Sequence, residues 1–133
     1  MYCGGLGGLS YLVIECKSGA TVETIGKEYC NQLNGWATWF EAKYDAACSY
    51  VPVMIHPSSV FEYAASPKPE TRIITATGLE AFRSSVREFI KSIASNNQLS
   101  NASAIREKLI AYKLRGEDIA GNYTSPFTSK SHF

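Results

Sequence analysis

The stretch Ser10-Tyr11-Leu12-Val13-Ile14-Glu15-Cys16-Lys17-Ser18-Gly19 decides how this chain is read. It begins as an apolar run of strand character, and Glu15-Cys16-Lys17 close that run just before the turn residues Ser18 and Gly19. Successive side chains of a strand point to opposite faces, so Glu15 and Lys17 share one face and Cys16 takes the other. A carboxylate and an ammonium therefore converge where the strand leaves the interior, and neither charge belongs in a core. Metal-assisted phosphodiester cleavage uses such a pair. The competing reading is a strand end whose two charges simply reach into water.

A second copy of the spacing provides the contrast. Glu41-Ala42-Lys43 falls in a helical pattern, where positions i and i+2 point about 200° apart and cannot cooperate. It reads as solvated surface. The apolar run before Glu15 and the Ser-Gly turn after Lys17 are what set the first copy apart.

Length and composition bound the rest. A chain of 133 residues is one domain's worth, enough for a modest core. With 45% hydrophobic and 19% charged residues it has the composition of a soluble globular protein. No apolar run approaches the roughly 18 residues of a membrane span, and no basic stretch precedes an apolar segment at the start. The default expectation is a cytoplasmic protein with no membrane partner. Cys3, Cys16, Cys30 and Cys48 form no C-x-x-C pair, which argues against a zinc ribbon or a disulfide framework and for small buried hydrophobes. A net charge of +1 argues against a large nucleic-acid footprint over the whole surface but leaves room for a local basic patch.

Residues 1–9 read as a glycine-rich lead-in; Gly4-Gly5-Leu6-Gly7-Gly8 lacks the Gly-Lys-Ser/Thr ending of a phosphate-binding loop. A helix is expected from about Val22 to Tyr44, with Ile25, Tyr29, Leu33, Trp36, Phe40 and Tyr44 as its buried stripe. Gly26 and Gly35 each weaken it by about 1 kcal/mol and mark a break or a close approach. Gln32, at the margin of that stripe, either turns toward the charged strand end or stays a surface residue. Tyr50-Val51-Pro52-Val53-Met54-Ile55-His56-Pro57 is a second strand whose internal proline suggests an edge or a first-residue position, and His56 at its end either approaches a site or, the favoured reading, is a structural hydrogen-bonding group. A Ser66–Glu70 linker and a third strand, Thr71 to Ala76, follow.

Thr77-Gly78-Leu79-Glu80 has the form of a capping box, opening a helix with the stripe Leu79, Phe82, Val86, Phe89, Ile90 and Ile93. Its other face carries Arg83, Arg87 and Lys91 at i, i+4 and i+8, a ridge that either follows a phosphate backbone or is a solvated helix face. A last helix from about Ala102 to Leu114 ends at Gly116, and the tail from Tyr123 to Phe133 reads as ragged. The expected organisation is a lead-in (1–9), an α/β domain (10–115) and a tail (116–133). Its fold class is α/β, with a small mixed sheet of about three strands flanked by helices in the order strand-helix-strand-strand-helix-helix.

This order, with Glu-Cys-Lys-Ser-Gly ending the first strand, Gln32-Leu33-Asn34-Gly35 and Trp39-Phe40 in the helix after it, and Val51-Pro52-Val53-Met54-Ile55-His56 as the next strand, resembles the PD-(D/E)xK nuclease superfamily with its restriction-endonuclease-like fold. The likeness covers roughly Tyr11 to Ile93. It implies that Glu15 and the main-chain oxygen of Cys16 hold Mg²⁺ or Mn²⁺, that Lys17 orients or activates the attacking water, and that Gln32 lies near the site. Nucleic acid, DNA above all, is the implied partner. That family also uses an aspartate on the preceding strand, whereas no acidic residue precedes Glu15 here. The resemblance therefore implies the C-terminal portion of such a domain, completed by a missing N-terminal segment, a second chain or a larger parent protein. Mg²⁺ favours near-octahedral oxygen coordination, and a single carboxylate with one carbonyl would hold it weakly, so feeble activity in isolation is expected. Asp45 and Asp118 are poor substitutes by position.

Three functions of different class follow from these readings: a metal-dependent nuclease, a noncatalytic module that binds nucleic acid or a protein through Arg83, Arg87 and Lys91, and an α/β ligand-binding domain unrelated to nucleases.

Overall fold

The computed structural model describes residues 10–17, 23–44, 49–96 and 100–130. The glycine-rich lead-in, the Ser18-Gly19 turn, Cys3, Cys48 and Asp45 lie outside the described residues. The apolar run forms β1 (Ser10–Cys16), paired in parallel with β2 (Ser49–Ile55) so that Glu15 lies opposite Met54 and Cys16 opposite Ile55. Between them runs α1 (Lys27–Lys43). A two-residue strand, β3 (Val60–Phe61), precedes β4 (Arg72–Ile74), and β4 pairs in parallel with β2. Then come α2 (Ala76–Ser95), α3 (Ala102–Ala111), α4 (Gly116–Asn122), β5 (Ser125–Pro126) and β6 (Thr128–Ser129). The main sheet has the order β1-β2-β4-β5 with β5 antiparallel, and β3 and β6 form a second, two-stranded sheet. The α/β class with a small mixed sheet holds. Among the described residues the main sheet has four strands rather than about three, because the C-terminal segment adds one. No described helix is long and apolar enough to cross a membrane.

One core joins α1 to the sheet. Ile25, Cys30, Leu33, Met54, Phe61 and Ile73 are all at most 1% exposed. Beside it Phe40 packs with Tyr11, Val13, Tyr44 and Tyr50. The odd-numbered residues of β1 and the even-numbered ones of β2 thus face α1. On the other face Ile74 lies against Gly78 of α2, so helices cover both sides of the sheet.

Several expectations need correction. The first helix starts at Lys27 rather than near Val22, because Ile25 pairs as a β-bridge with Phe61: its N–H donates to the Val60 carbonyl (2.7 Å) and its carbonyl accepts from Glu62 N–H (3.0 Å). Gly26 is extended at the N-cap (φ −68°, ψ 157°), and the Glu62 carboxylate accepts the first helical amide, that of Lys27, at 2.6 Å. The buried stripe of α1 is Cys30, Leu33, Ala37 and Phe40, while Trp36 is 52% exposed. Pro52 lies in the interior of β2, which has a described strand on each side, so it is neither on an edge strand nor at a first-residue position. His56 N–H donates to Ile74 and Lys17 N–H to Ile55, so alternation aims the nitrogen of Pro52 toward β4, just short of where that pairing begins at Val53.

The second helix begins one residue after Thr75, which is its N-cap with no side-chain cap hydrogen bond, so Thr77 lies inside the helix and no capping box forms there. Of its apolar stripe only Ile93 is buried; Leu79 and Ile90 are 42% and 56% exposed. Gly116 opens α4 rather than ending the preceding helix, which stops at Ala111. The C-terminal segment is structured through residue 130: the Tyr123 ring meets Phe82, its hydroxyl donates to Ser85 at 2.7 Å, and Phe127 meets Phe61 edge-on at 5.2 Å. Cys30 is buried as expected, but Cys16 is exposed.

Candidate active site at the end of the first strand

The alternation of β1 delivers Glu15 and Lys17 to the face covered by α1, and their side chains meet there. Lys17 Nζ lies 2.9 Å from Glu15 Oε1, with the two side chains only 18% and 17% exposed. Beyond the last residue of β1 the backbone is still held, since Lys17 N–H donates to the Ile55 carbonyl at 3.1 Å. On α1, Tyr29 and Gln32 are three residues apart and so neighbours on one helix face. Both reach the lysine: Gln32 Oε1 accepts a hydrogen bond from Nζ, and Nζ stands 4.7 Å from the centre of the Tyr29 ring. An ammonium has three donors; here Glu15, Gln32 and a π face surround it. The second Glu-x-Lys, on α1, behaves as its helical setting demands: Glu41 and Lys43 are both exposed, and Glu41 accepts from the Tyr50 hydroxyl, whose pKa is raised by burial and by that carboxylate.

The strand ends frame a cleft of about 280 Å³. Cys16 and Lys17 line it from β1, Ile55 and His56 from β2, Ile74 and Thr75 from β4, and Leu79 from α2. Crevices beyond the carboxyl ends of parallel strands are where open α/β sheets bind ligands. His56 is 2% exposed, and Ser58 N–H donates to its Nδ1 at 2.9 Å, so the neutral ring carries its proton on Nε2. Burial pushes its pKa down. Its ring lies 6.1 Å from that of Tyr29. A second cavity, of about 360 Å³, lies along β1 between Leu12, Ile14, Trp36 and Trp39 and is apolar.

The expected site residues thus divide. Glu15, Lys17 and Gln32 come together; Cys16 turns its thiol to the opposite face. Because Lys17 N–H points at β2, the carbonyl of Cys16 in the same trans peptide points away from β2, on the side of β1 where no described strand pairs. Arg83, Arg87 and Lys91 are exposed along α2, where Arg83 pairs with Glu80 and Lys91 with Glu88, each at 3.6 Å. Only the first turn of that helix touches the cleft; Arg83 stands about 6 Å further along the axis than Leu79 at 1.5 Å per residue. Asp118 is engaged by Arg115 at 2.8 Å, which holds its carboxyl below the usual range. The sequence reading counted Tyr29 with the core and favoured a structural hydrogen-bonding role for His56 over a place at the site. Their signal was faint: a tyrosine one helical turn before Gln32, and a histidine closing a strand.

Among the described residues no group of three or more His, Cys, Asp or Glu side chains is placed to hold a metal ion. Glu15 is a single carboxylate already paired with an ammonium, so these residues do not by themselves fit a Mg²⁺ shell. No protein-family model, curated protein or solved structure matches the chain. The likeness to the PD-(D/E)xK nucleases therefore rests on residues, not on a relative.

Proposed function

We propose that this chain carries a nuclease-like site that hydrolyses DNA phosphodiesters slowly, and that its restriction-endonuclease-like core is partial. One observation carries the reading: Lys17, a residue that lines the cleft beyond the parallel strand ends, has its Nζ 2.9 Å from Glu15 Oε1 and donates to Gln32 on the α1 face. In this reading the Lys17 ammonium steadies the charge that grows on a phosphoryl oxygen and orients the attacking water, with Gln32 fixing its direction. Glu15 is the anionic group facing that water. Mg²⁺ or Mn²⁺ would be held weakly by Glu15 and the Cys16 carbonyl, and tightly only with a further carboxylate from another segment of a longer protein or from a second chain.

The test incubates supercoiled plasmid with protein in excess and Mg²⁺ or Mn²⁺, using the wild type, Glu15→Gln and Lys17→Ala. Slow nicking that both substitutions abolish supports the proposal. Nicking that survives them, or none from the wild type, removes it. The single carboxylate favours a second reading, a noncatalytic nucleic-acid module of the same ancestry; DNA band shifts without cutting, lost in Arg83→Ala/Arg87→Ala, would establish that instead.

A further inference from the structure

We propose that Tyr29 and His56 are positioning residues that hold the Lys17 ammonium against Glu15 and Gln32. The contacts form a relay. Ser58 is tied down twice, its hydroxyl donating to the Glu23 carbonyl and accepting from Val60 N–H, both at 3.0 Å. Its own N–H fixes the His56 ring through Nδ1 at 2.9 Å. That ring lies against Tyr29 at 6.1 Å, and the Tyr29 ring in turn lies beneath Nζ at 4.7 Å. Without the aromatic face, the third side of the ammonium opens to water and its long stem regains rotamers. Register makes the arrangement obligatory. Cys16 lies opposite Ile55, so Lys17 and His56 leave the sheet side by side on the α1 face, and Tyr29 is the α1 side chain packed over both.

The face of the ring does this, not the phenol, so Phe should replace Tyr29 and Leu should not. The first readout needs no substrate: hydrogen exchange of the Lys17 ammonium, followed by ¹⁵N NMR on metal-free protein and assigned with Lys17→Arg. Enclosure slows this exchange; Tyr29→Leu speeds it about tenfold and Tyr29→Phe leaves it within about twofold, as loss of one cation–π partner implies. His56→Ala moves it the same way and His56→Phe, which keeps a ring, restores it. Should the histidine variants not fold, the tyrosine pair decides alone. The second readout rests on the hydrolytic reading: Tyr29→Leu lowers kcat about tenfold with KM within about twofold, a loss confined to the transition state. Exchange in Tyr29→Leu within twofold of the wild type overturns the proposal whatever the kinetics. Exchange that follows the expected order with no protein cutting DNA upholds the relay and discards the nuclease.

Discussion

Replacing Lys17 by Met keeps most of the apolar stem and deletes the ammonium, which makes it a direct probe of how the strand end is held. The partner left behind is a Glu15 carboxylate only 17% exposed. Breaking a fully buried pair by removing one member costs about 3–5 kcal/mol and losing an exposed one about 0–1, so a pair four-fifths buried falls between, at about 2 kcal/mol. The Gln32 bond adds little because Gln32 is exposed and water replaces its partner. For a chain of 133 residues this corresponds to a fall in Tm of roughly 6–10 °C. Urea unfolding monitored by tryptophan fluorescence gives the number, and Glu15→Gln/Lys17→Met closes a double-mutant cycle. Neutralising Glu15 in the Met background should recover about 1 kcal/mol, because the stranded charge is gone. A Lys17→Met loss under about 0.5 kcal/mol, or a double variant equal to the sum of the singles, would refute the argument that these two groups are coupled in a shielded place.

The remaining predictions concern the supports of the site. His56 is kept neutral by burial, so its folded pKa lies below the unfolded one. Below about pH 6.5 the unfolded chain takes up a proton that the fold refuses, and stability falls by up to about 1.4 kcal/mol per pH unit until the folded pKa is reached; His56→Gln should flatten that slope in chemical denaturation between pH 7 and 5. At Gly78 an added Cβ would stand 2.3 Å from the Tyr123 carbonyl oxygen, a backbone atom that cannot step aside. Gly78→Ala should therefore destabilise by about 1–3 kcal/mol despite its better helix propensity, and a stabilised variant would show that Tyr123 is not packed there. Arg83→Ala/Arg87→Ala removes two cations from an exposed face and should leave Tm within about 2 °C while weakening DNA binding and reducing its salt dependence by about two counterions; an unchanged salt slope would free the ridge of that role.

What the sequence made legible was local. The period of two in β1 placed Glu15 and Lys17 on one face, because that relation depends on a single element, whereas helix spacing left Gln32 at the margin of the buried stripe, free to turn toward them or to stay on the surface. The start of α1 was not legible. Ile25 carries a helical spacing, yet a two-residue strand far along the chain, Val60–Phe61, draws its backbone into a bridge. Pro52 misled for a similar reason: its missing donor matters only where β4 runs beside it, and β4 begins a residue too late. Tyr29 was invisible as a site residue, and His56 was weighed but not favoured, because their meeting depends on the register of β1 against β2 and on how α1 lies over both. The C-terminal segment, polar and rich in Ser and Thr, is ordered by two aromatic anchors, Tyr123 and Phe127, whose partners lie some forty to seventy residues away in Phe82 and Phe61.

The central claim, that the Glu15–Lys17 pair directs water onto a DNA phosphodiester, is tested most directly by single-turnover cleavage of an end-labelled duplex in ¹⁸O-enriched water with Mn²⁺. Expected from the wild type is one ¹⁸O atom in the new terminal phosphate, which each cleavage leaves on one of its two fragments, and no product from Glu15→Gln. Product lacking the label, or labelled product formed equally by Glu15→Gln, would contradict it.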